Sequence, residues 1–259
     1  MQFITISRAG PVTTVTLNRP EVMNAINVEM HAELQIAFDE FAQDPDQWVC
    51  VVTGAGDRAF CAGPDLKAAA KSGLPPTYPK SGYAGLIERF DCNKPIIAAV
   101  NGVALGGGFE VALACDLIIA SENASFGLPE PLVGAVALGG GLHRLSRQMP
   151  LKQAMGAILT SRRISAEDAL KYGLVNEVVP QAELMACVEN WCQEILRASP
   201  VSVRTSKAVV NRGLMESSVE EAMKNQAEYP EFIAWRASED IKEGPSAFAE
   251  KRKPKWTGR

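Results

Sequence analysis

Short apolar runs alternate with glycine-containing turns through the first half of the chain. Residues 3–7 and 12–17 alternate apolar and polar side chains around a turn at 9–11, which predicts a β-hairpin. Apolar side chains then recur at helical spacing over residues 27–41, and Asn27 stands where an N-cap is expected. The chain is therefore expected to begin with two strands and an amphipathic helix.

Three further apolar runs have the length of buried strands. They are rich in valine, isoleucine and alanine and cover residues 48–53, 96–100 and 117–120. A glycine turn follows the first two, and helices of small and apolar residues are predicted at 107–115 and from about Gly140. The recurrence of strand, turn and helix predicts an α/β fold built as successive turns of a spiral.

The last third of the chain has a polar, helical pattern. Helices are predicted at 181–198, 202–213 and 218–235. Ser165 begins a segment with the form of a capping box. We expect residues 1–198 to form the core and residues 199–259 a helical region with a basic tail. A loop at 71–85, rich in Gly, Pro and Ser, is long enough to be a lid.

Composition narrows the functional classes. The chain has 259 residues, of which 47% are hydrophobic and 22% charged, as in an ordinary globular protein with one sizeable core. Its net charge of −4 gives no basic field for nucleic acid or an anionic membrane, so an anionic ligand needs a local basic patch. No signal peptide is apparent, and the apolar stretches are too short to cross a bilayer.

Metal and nucleotide cofactors find no support in the sequence. The six cysteines form no C-x-x-C pair, so we expect free, mostly buried thiols in a cytoplasmic protein without a metal. The histidines, His31 and His143, have the surroundings of surface or packing residues. Residues 54–59 superficially match a dinucleotide fingerprint, but Gly63-Pro64 interrupts the helix it needs and residues 73–85 contain no acid. A Rossmann site is therefore rejected.

Two glutamates have the surroundings of catalytic groups. Glu110 follows the glycines 106–108 in the first turn of an apolar helix, where unpaired amides and the helix dipole favour an oxygen that becomes negative. Glu130 lies between Pro129 and Pro131, which predicts a carboxylate on a rigid, extended segment. Taken singly, each glutamate could instead be a helix-end or surface residue. Together, two carboxylates facing one substrate can divide the acid and base roles.

Several segments resemble the enoyl-CoA hydratase/crotonase family. They are residues 17–20 (LNRP), Asn24-Ala25, 59–66 (AFCAGPDL), 106–110 (GGGFE), 126–130 (FGLPE) and 243–252 (EGPSAFAEKR). The match runs in order along essentially the whole chain. Residues 65–70 (DLKAAA), the second glutamate segment and the C-terminal tail are most similar to carnitinyl-CoA dehydratase-like members.

The resemblance implies a spiral of repeated ββα units, with C-terminal helices that build homotrimers, often paired into hexamers. It implies an acyl-CoA substrate, so coenzyme A is part of the substrate and no separate cofactor is expected. The glutamate matching Glu110 activates water for addition at Cβ, and the one matching Glu130 gives a proton to Cα. Main-chain N–H groups matching Gly107 and position 64 hold the thioester oxygen.

The same resemblance places coenzyme A and the acyl group against several further residues. They are Val22, Met23, Ala25, Ala62, Gly63, Asp65, Leu66, Lys67, Gly106, Pro129, Leu138, Phe248 and Lys251. Of these, Phe248 and Lys251 are expected to help cover coenzyme A, across a subunit boundary.

The sequence departs from the family pattern at two places. Position 64 is proline, which has no N–H, so one of the two oxyanion donors is missing. Loss of such a donor costs about 3 kcal/mol of transition-state stabilisation, which predicts reduced activity unless another group substitutes. Residues 137–141 (ALGGG) replace the usual PGAGG, so we expect the Leu138 side chain to narrow the pocket while its amide contacts the catalytic water.

Three functions remain open from the sequence. The first is reversible syn hydration of a trans-2-enoyl-CoA by a hydro-lyase. The second is dehydration or isomerisation of a specialised acyl-CoA, such as a carnitinyl thioester. The third is acyl-CoA binding without catalysis, which the proline at position 64 favours.

Overall fold

Two β-sheets flanked by helices make up the described part of this computed structural model, residues 1–67 and 77–259. The strands are β1 (Ile4–Ala9), β2 (Val12–Leu17), β3 (Val49–Gly54), β4 (Ala59–Cys61), β5 (Ile96–Val100), β6 (Val103–Leu105), β7 (Leu117–Ser121), β8 (Ser125–Gly127), β9 (Ile164–Ser165) and β10 (Glu177–Val179). The larger sheet has the order β1-β2-β3-β5-β7-β10 and the smaller one β4-β6-β8-β9. The α/β prediction is confirmed.

The larger sheet contains the strands that the hydrophobic pattern identified. β1 and β2 form the expected antiparallel hairpin, with Ile4 opposite Leu17. From β2 onward the neighbours are parallel. Every residue of β3 and β5 is buried, because helices and the smaller sheet cover both faces of a parallel sheet.

Ten helices accompany the sheets in the described residues. They are α1 (Val28–Gln43), α2 (Gly107–Ala114), α3 (Gly141–Gln148), α4 (Leu151–Thr160), α5 (Ala166–Lys171), α6 (Leu184–Leu196), α7 (Pro200–Gly213), α8 (Val219–Asn225), α9 (Pro230–Ala237) and α10 (Asp240–Ala249). The side chain of Asn27 accepts a hydrogen bond from Met30 N, and that of Ser165 from Asp168 N, so both expected caps are confirmed. No helix of these residues is long and apolar enough to cross a membrane.

The C-terminal region differs in detail from its prediction. The single helix expected at 218–235 is divided into α8 and α9, since Tyr229 is extended before Pro230, which begins α9 as its first residue. Helix α10 lies where only a tail was expected. Lys207 of α7 connects this region to the core, because its ammonium group bonds Lys94 O at 2.9 Å and Asp116 Oδ2 at 2.8 Å.

The expected lid at 71–85 falls partly outside the described residues, which exclude 68–76. Its end is a buried 3-10 turn, Tyr83–Gly85, packed against α1. A methyl group on Gly85 would lie 2.7 Å from the backbone nitrogen of Gln35, so this turn is in close backbone contact with the helix. The lid prediction is therefore wrong for residues 83–85, which are part of the core.

Candidate active site

The first turn of α2 is the centre of the site. Gly106 precedes it with φ = 54°, a conformation that glycine adopts without strain, and Gly107 is its first residue. Helix α2 is buried from Gly107 to Leu113, so its first-turn N–H groups lie in the interior. An oxygen that gains negative charge is stabilised at such a position.

Glu110 extends from this turn into the interior and is only 5% exposed. Burial raises the pKa of its carboxyl group, the Gly141 amide opposes that rise, and the charge of Glu130 adds to it. Gly141 N donates a hydrogen bond to Oε1 at 2.9 Å. Glycine is required at 141, because a methyl group there would lie 2.9 Å from the same oxygen. The chain thus builds a fitted, partly hydrogen-bonded place for this carboxylate.

Glu130 begins a 3-10 turn, Glu130–Val133, that follows β8. The expectation of an extended segment is therefore wrong. Backbone N–H groups of Gly134 and Ala135 both donate to Glu130 O, and these bonds overcome the preference for extended backbone before a proline. Burial raises the pKa of Glu130, and its Oε2 is buried without a hydrogen-bond partner in the described part of the chain.

The two carboxylates meet at the start of α2. A methyl group on Gly106 would lie 2.8 Å from Oε1 of Glu130, and Gly106 N donates to Gly127 O at 2.9 Å. The end of β8 and the start of α2 are therefore held side by side. The sequence analysis expected these two glutamates, 20 residues apart in the chain, to face one substrate, and that role stays a prediction.

Gly63, which directly precedes Pro64, lies next to the Gly107 amide. Gly63 has φ = 92°, and a methyl group on it would lie 3.2 Å from Gly107 N. Pro64 forms a parallel bridge with Ile26, in which Ile26 N donates to Gly63 O and Asp65 N donates to Ile26 O, both at 2.9 Å. Because successive amides of an extended segment point to opposite sides, the nitrogen of Pro64 faces away from Ile26. Proline fits here without the loss of a ladder hydrogen bond.

The segments expected to bind coenzyme A lie together. Ala62 N donates to Met23 O at 3.0 Å, which joins the stretch containing Val22, Met23 and Ala25 to the segment before Pro64. Asn24 is fully buried between them and donates to Ala55 O and Ala59 O. The left-handed backbone of Met23 and Asn24, with φ of 57° and 54°, makes this tight connection.

An ion pair closes this corner of the site. Arg19 Nη2 lies 3.0 Å from Asp65 Oδ2, and Arg19 Nη1 donates to Ala25 O. Leu66 and Lys67, the last residues before the undescribed segment, are both exposed. These two therefore lie at the surface beside the Arg19–Asp65 pair.

The other predicted ligand-binding residues lie nearer the surface. Pro129 is half-buried beside Glu130. The amide of Leu138 donates to Val136 O at 2.9 Å and its side chain is 78% exposed, so this amide is already engaged and the side chain does not narrow the interior. Both of those expectations are corrected. Phe248 and Lys251, at and just beyond the end of α10, are exposed and stay predictions as ligand-binding residues.

Two residues at the site escaped the sequence analysis. Tyr83 is 5% exposed and its ring lies against Gly107, where a methyl group would be 2.7 Å from the hydroxyl oxygen. Arg144 of α3 lies near Glu110, whose pKa its charge lowers, and donates to Ile87 O at 2.7 Å. Neither residue belongs to a recognisable motif, because each reaches the site from an element distant in sequence.

A separate cavity of about 370 Å³ lies away from these residues. It is an open cleft between the end of α1, the segment before β5 and the C-terminal helices. Its lining includes Cys92, Lys94, Arg204 and Glu231 and none of the residues assigned to acyl-CoA. No three His, Cys, Asp or Glu side chains in residues 1–67 and 77–259 are grouped as metal ligands would be.

The chain is similar to known proteins along its whole length. A family model described as enoyl-CoA hydratase/isomerase matches residues 7–259. Carnitinyl-CoA dehydratase of Salmonella typhi is 44% identical over 260 residues, which cover 98% of both chains. The protein of the same name from Proteus mirabilis (strain HI4320) is 43% identical over 264 residues, covering 100% of this chain and 99% of its own.

Solved structures agree with these relatives. Enoyl-CoA hydratase from Mycobacterium tuberculosis H37Rv has a TM-score of 0.93 at 35% identity, and carnitinyl-CoA hydratase from Mycobacterium avium has 0.79 at 42%. Each comparison covers 100% of both chains. The crotonase-like fold expected from the motifs is confirmed. The chain belongs to the enoyl-CoA hydratase/isomerase, or crotonase, family.

Proposed function

We propose that the protein catalyses the reversible syn addition of water to the double bond of a trans-2-enoyl-CoA thioester. The observation that carries this proposal is the position of the buried Glu110 and the half-buried Glu130 together at the start of α2. Family membership supports hydratase or dehydratase chemistry, and the relatives named above bear names of both kinds.

The thioester oxygen rests against the Gly107 amide in the proposed complex. As water adds at Cβ, negative charge moves through the double bond to this oxygen. The Gly107 N–H and the dipole of α2 stabilise that charge in a site without bulk water. Glycine is needed at position 107 because the Tyr83 ring fills the space that a side chain would occupy.

The surroundings of the carboxylates assign their roles. Glu110 accepts the Gly141 amide, which favours its ionised form, so Glu110 acts as the base that removes a proton from water. The water oxygen then bonds to Cβ. Glu130, whose Oε2 is buried without a partner, carries the proton and gives it to Cα on the same face. A proton then passes from Glu110 to Glu130, through solvent or the next water, and resets the pair.

Matched glutamine variants test these roles. We expect Glu110→Gln and Glu130→Gln each to lower kcat for crotonyl-CoA hydration by about 1,000-fold, because each removes one proton-transfer group. Both variants should still bind butyryl-CoA, measured by calorimetry. Glu167→Gln, on the exposed face of α5, is the control and should keep full activity. Full activity in either active-site variant would refute the assignment.

Dehydration of a carnitinyl thioester is a second candidate. It is supported by the names of the relatives at 43% and 44% identity and by the similarity of residues 65–70 to such members. The two candidate functions are separated by comparing kcat/KM for crotonyl-CoA with kcat/KM for L-carnitinyl-CoA. Both reactions are followed by the absorbance of the conjugated thioester. A ratio above ten in favour of carnitinyl-CoA would establish the second candidate. Turnover of either substrate excludes a pure acyl-CoA binder.

Self-association is part of the proposal. Apolar side chains at the junction of α7 and α8 are exposed in the single chain, namely Leu214, Met215, Val219 and Met223. Contiguous exposed apolar side chains are typical of protein–protein interfaces. We expect sedimentation velocity to give the mass of a homotrimer or homohexamer, and a monomer at micromolar concentration would refute this. Coenzyme A contacts by Phe248 and Lys251 across a subunit boundary, and a cytoplasmic location, belong to the same proposal.

A further inference from the structure

Tyr83 has a buried hydroxyl group that nothing in the described chain satisfies. The residue is 5% exposed, and its hydroxyl oxygen has no hydrogen-bond partner in residues 1–67 and 77–259. An unpaired buried hydroxyl costs about 1–3 kcal/mol, so a folded protein rarely keeps one without a function. Phenylalanine would fill the same space without this cost.

The hydroxyl lies beside Gly107, whose amide is proposed to bind the thioester oxygen. A methyl group on Gly107 would be 2.7 Å from the hydroxyl oxygen and 2.5 Å from the carbon that bears it. The phenol therefore lies over the residue whose N–H is the first oxyanion donor. A ligand oxygen bonded to that N–H is within reach of the phenol.

The site needs a second donor at this place. Pro64 has no N–H, although its nitrogen faces away from Ile26, on the side where the second donor is expected. Gly63, its neighbour, is close to Gly107 N. The residue that precedes the missing amide and the residue that carries the unsatisfied hydroxyl thus both lie against Gly107.

The turn that carries Tyr83 is held firmly. Ala84 N donates to Nδ1 of His31 at 2.9 Å, and the His31 and Tyr83 rings make an edge contact at 4.6 Å between centroids. Gly85 packs on the backbone of α1. A donor fixed in this way acts without reorganisation during the reaction. Burial and the nearby charges of Glu110 and Glu130 raise the pKa of Tyr83, so the phenol keeps its proton.

We propose that the Tyr83 hydroxyl donates the second hydrogen bond to the thioester oxygen, in place of the main-chain N–H that Pro64 lacks. This inference rests on the proposed function of the same site. In the reaction the phenol gives up no proton: it donates a hydrogen bond that strengthens as the thioester becomes enolate-like. The partner that the buried hydroxyl lacks is the carbonyl oxygen of the substrate.

Tyr83→Phe tests the proposal, because it removes the oxygen and keeps the ring. We expect kcat for enoyl-CoA hydration to fall about 100-fold with little change in KM. Pro64→Ala restores an N–H at position 64, so the double variant Pro64→Ala/Tyr83→Phe should recover at least tenfold in kcat. Tyr172→Phe, at the end of α5, is the matched control and should keep wild-type kinetics. Kinetics of Tyr83→Phe within twofold of wild type would overturn the proposal.

A spectroscopic readout separates this inference from the proposed function. A chromophoric thioester such as 4-dimethylaminocinnamoyl-CoA absorbs at longer wavelength when hydrogen bonds polarise its carbonyl group. We expect a red shift on binding to the wild-type protein, a smaller shift with Tyr83→Phe, and its recovery in the double variant. Equal shifts in the wild type and Tyr83→Phe would overturn the role of Tyr83. This measurement needs no turnover, so it decides on Tyr83 even if the hydratase activity is absent.

Discussion

We expect the buried side chain of His31 to lower the free energy of unfolding of the protein in acid. The side chain is 6% exposed in α1, and burial lowers its pKa from 6.5 to about 4. Its Nδ1 accepts the Ala84 amide, a bond that only the form without a proton on this nitrogen can make. The folded protein therefore keeps this histidine neutral over a pH range in which the unfolded chain protonates it.

The size of the effect follows from linkage. The stabilisation by neutral His31 is fully present above pH 6.5 and is lost as the pH falls from 6.5 to about 4. At 1.36 kcal/mol for each pH unit, the loss approaches about 3 kcal/mol by pH 4. His31→Gln removes the titration and retains an amide oxygen that can accept the Ala84 N–H. We expect this variant to be less stable at pH 7, because packing of the ring is lost, but to lose less stability in acid.

Urea unfolding followed by tryptophan fluorescence measures this difference. Between pH 7 and pH 4, the free energy of unfolding of the wild type should fall by about 3 kcal/mol more than that of His31→Gln. Protein concentration must stay fixed, because subunit association adds to stability. His143→Gln alters the other histidine, which is exposed on α3, and its curve should run parallel to that of the wild type. Parallel curves for the wild type and His31→Gln would refute the burial argument.

Three further substitutions test the frame of the site. Gly141→Ala pushes a methyl group against Glu110, so we expect kcat to fall about 100-fold while acyl-CoA binding is retained. Gly156→Ala is the control: nothing lies within 4 Å of the added methyl group, so this variant should keep full activity. Arg144→Met removes a charge that lowers the pKa of Glu110, so the acidic limb of the pH–kcat profile should move to higher pH; an unmoved limb would exclude this coupling. Asn24→Ala leaves the buried carbonyl groups of the adjoining segments unpaired, so the midpoint of urea unfolding should fall by more than that of an exposed substitution such as Glu167→Gln.

The hydrophobic pattern identified five of the six strands of the larger sheet, all except the three-residue β10, and none of those of the smaller sheet. Strands β3 and β5 are buried on both faces and are therefore continuous apolar runs, which a single sequence makes visible. Strands β4, β6 and β8 have three residues each, too few for any periodicity. Their pairing depends on the spiral, so only the family resemblance pointed to two strands in each turn.

The two glutamates proposed as catalytic could be recognised from their neighbours in the sequence, but their environments in the structure could not. Glycines before Glu110 and prolines around Glu130 mark both positions in the sequence. The turn at Glu130 depends on hydrogen bonds from two residues farther along the chain, and a rule about the residue before proline cannot include them. Arg144 extends to the site from α3, so no motif in the sequence around Glu110 or Glu130 could identify it.

Pro64 shows most clearly how sequence and structure complement each other. From the sequence, Pro64 is expected to reduce activity, because proline lacks the main-chain N–H that would be the second hydrogen-bond donor to the thioester oxygen. In the structure, its nitrogen makes no contribution to the pairing with Ile26, so folding tolerates proline there. The same structure has an unpaired phenol against Gly107, where the lost N–H would have acted. If the Tyr83 hydroxyl replaces the N–H that Pro64 lacks, the missing donor and the unsatisfied hydroxyl have a single explanation. The double variant Pro64→Ala/Tyr83→Phe tests this replacement, which neither Pro64→Ala nor Tyr83→Phe alone can reveal.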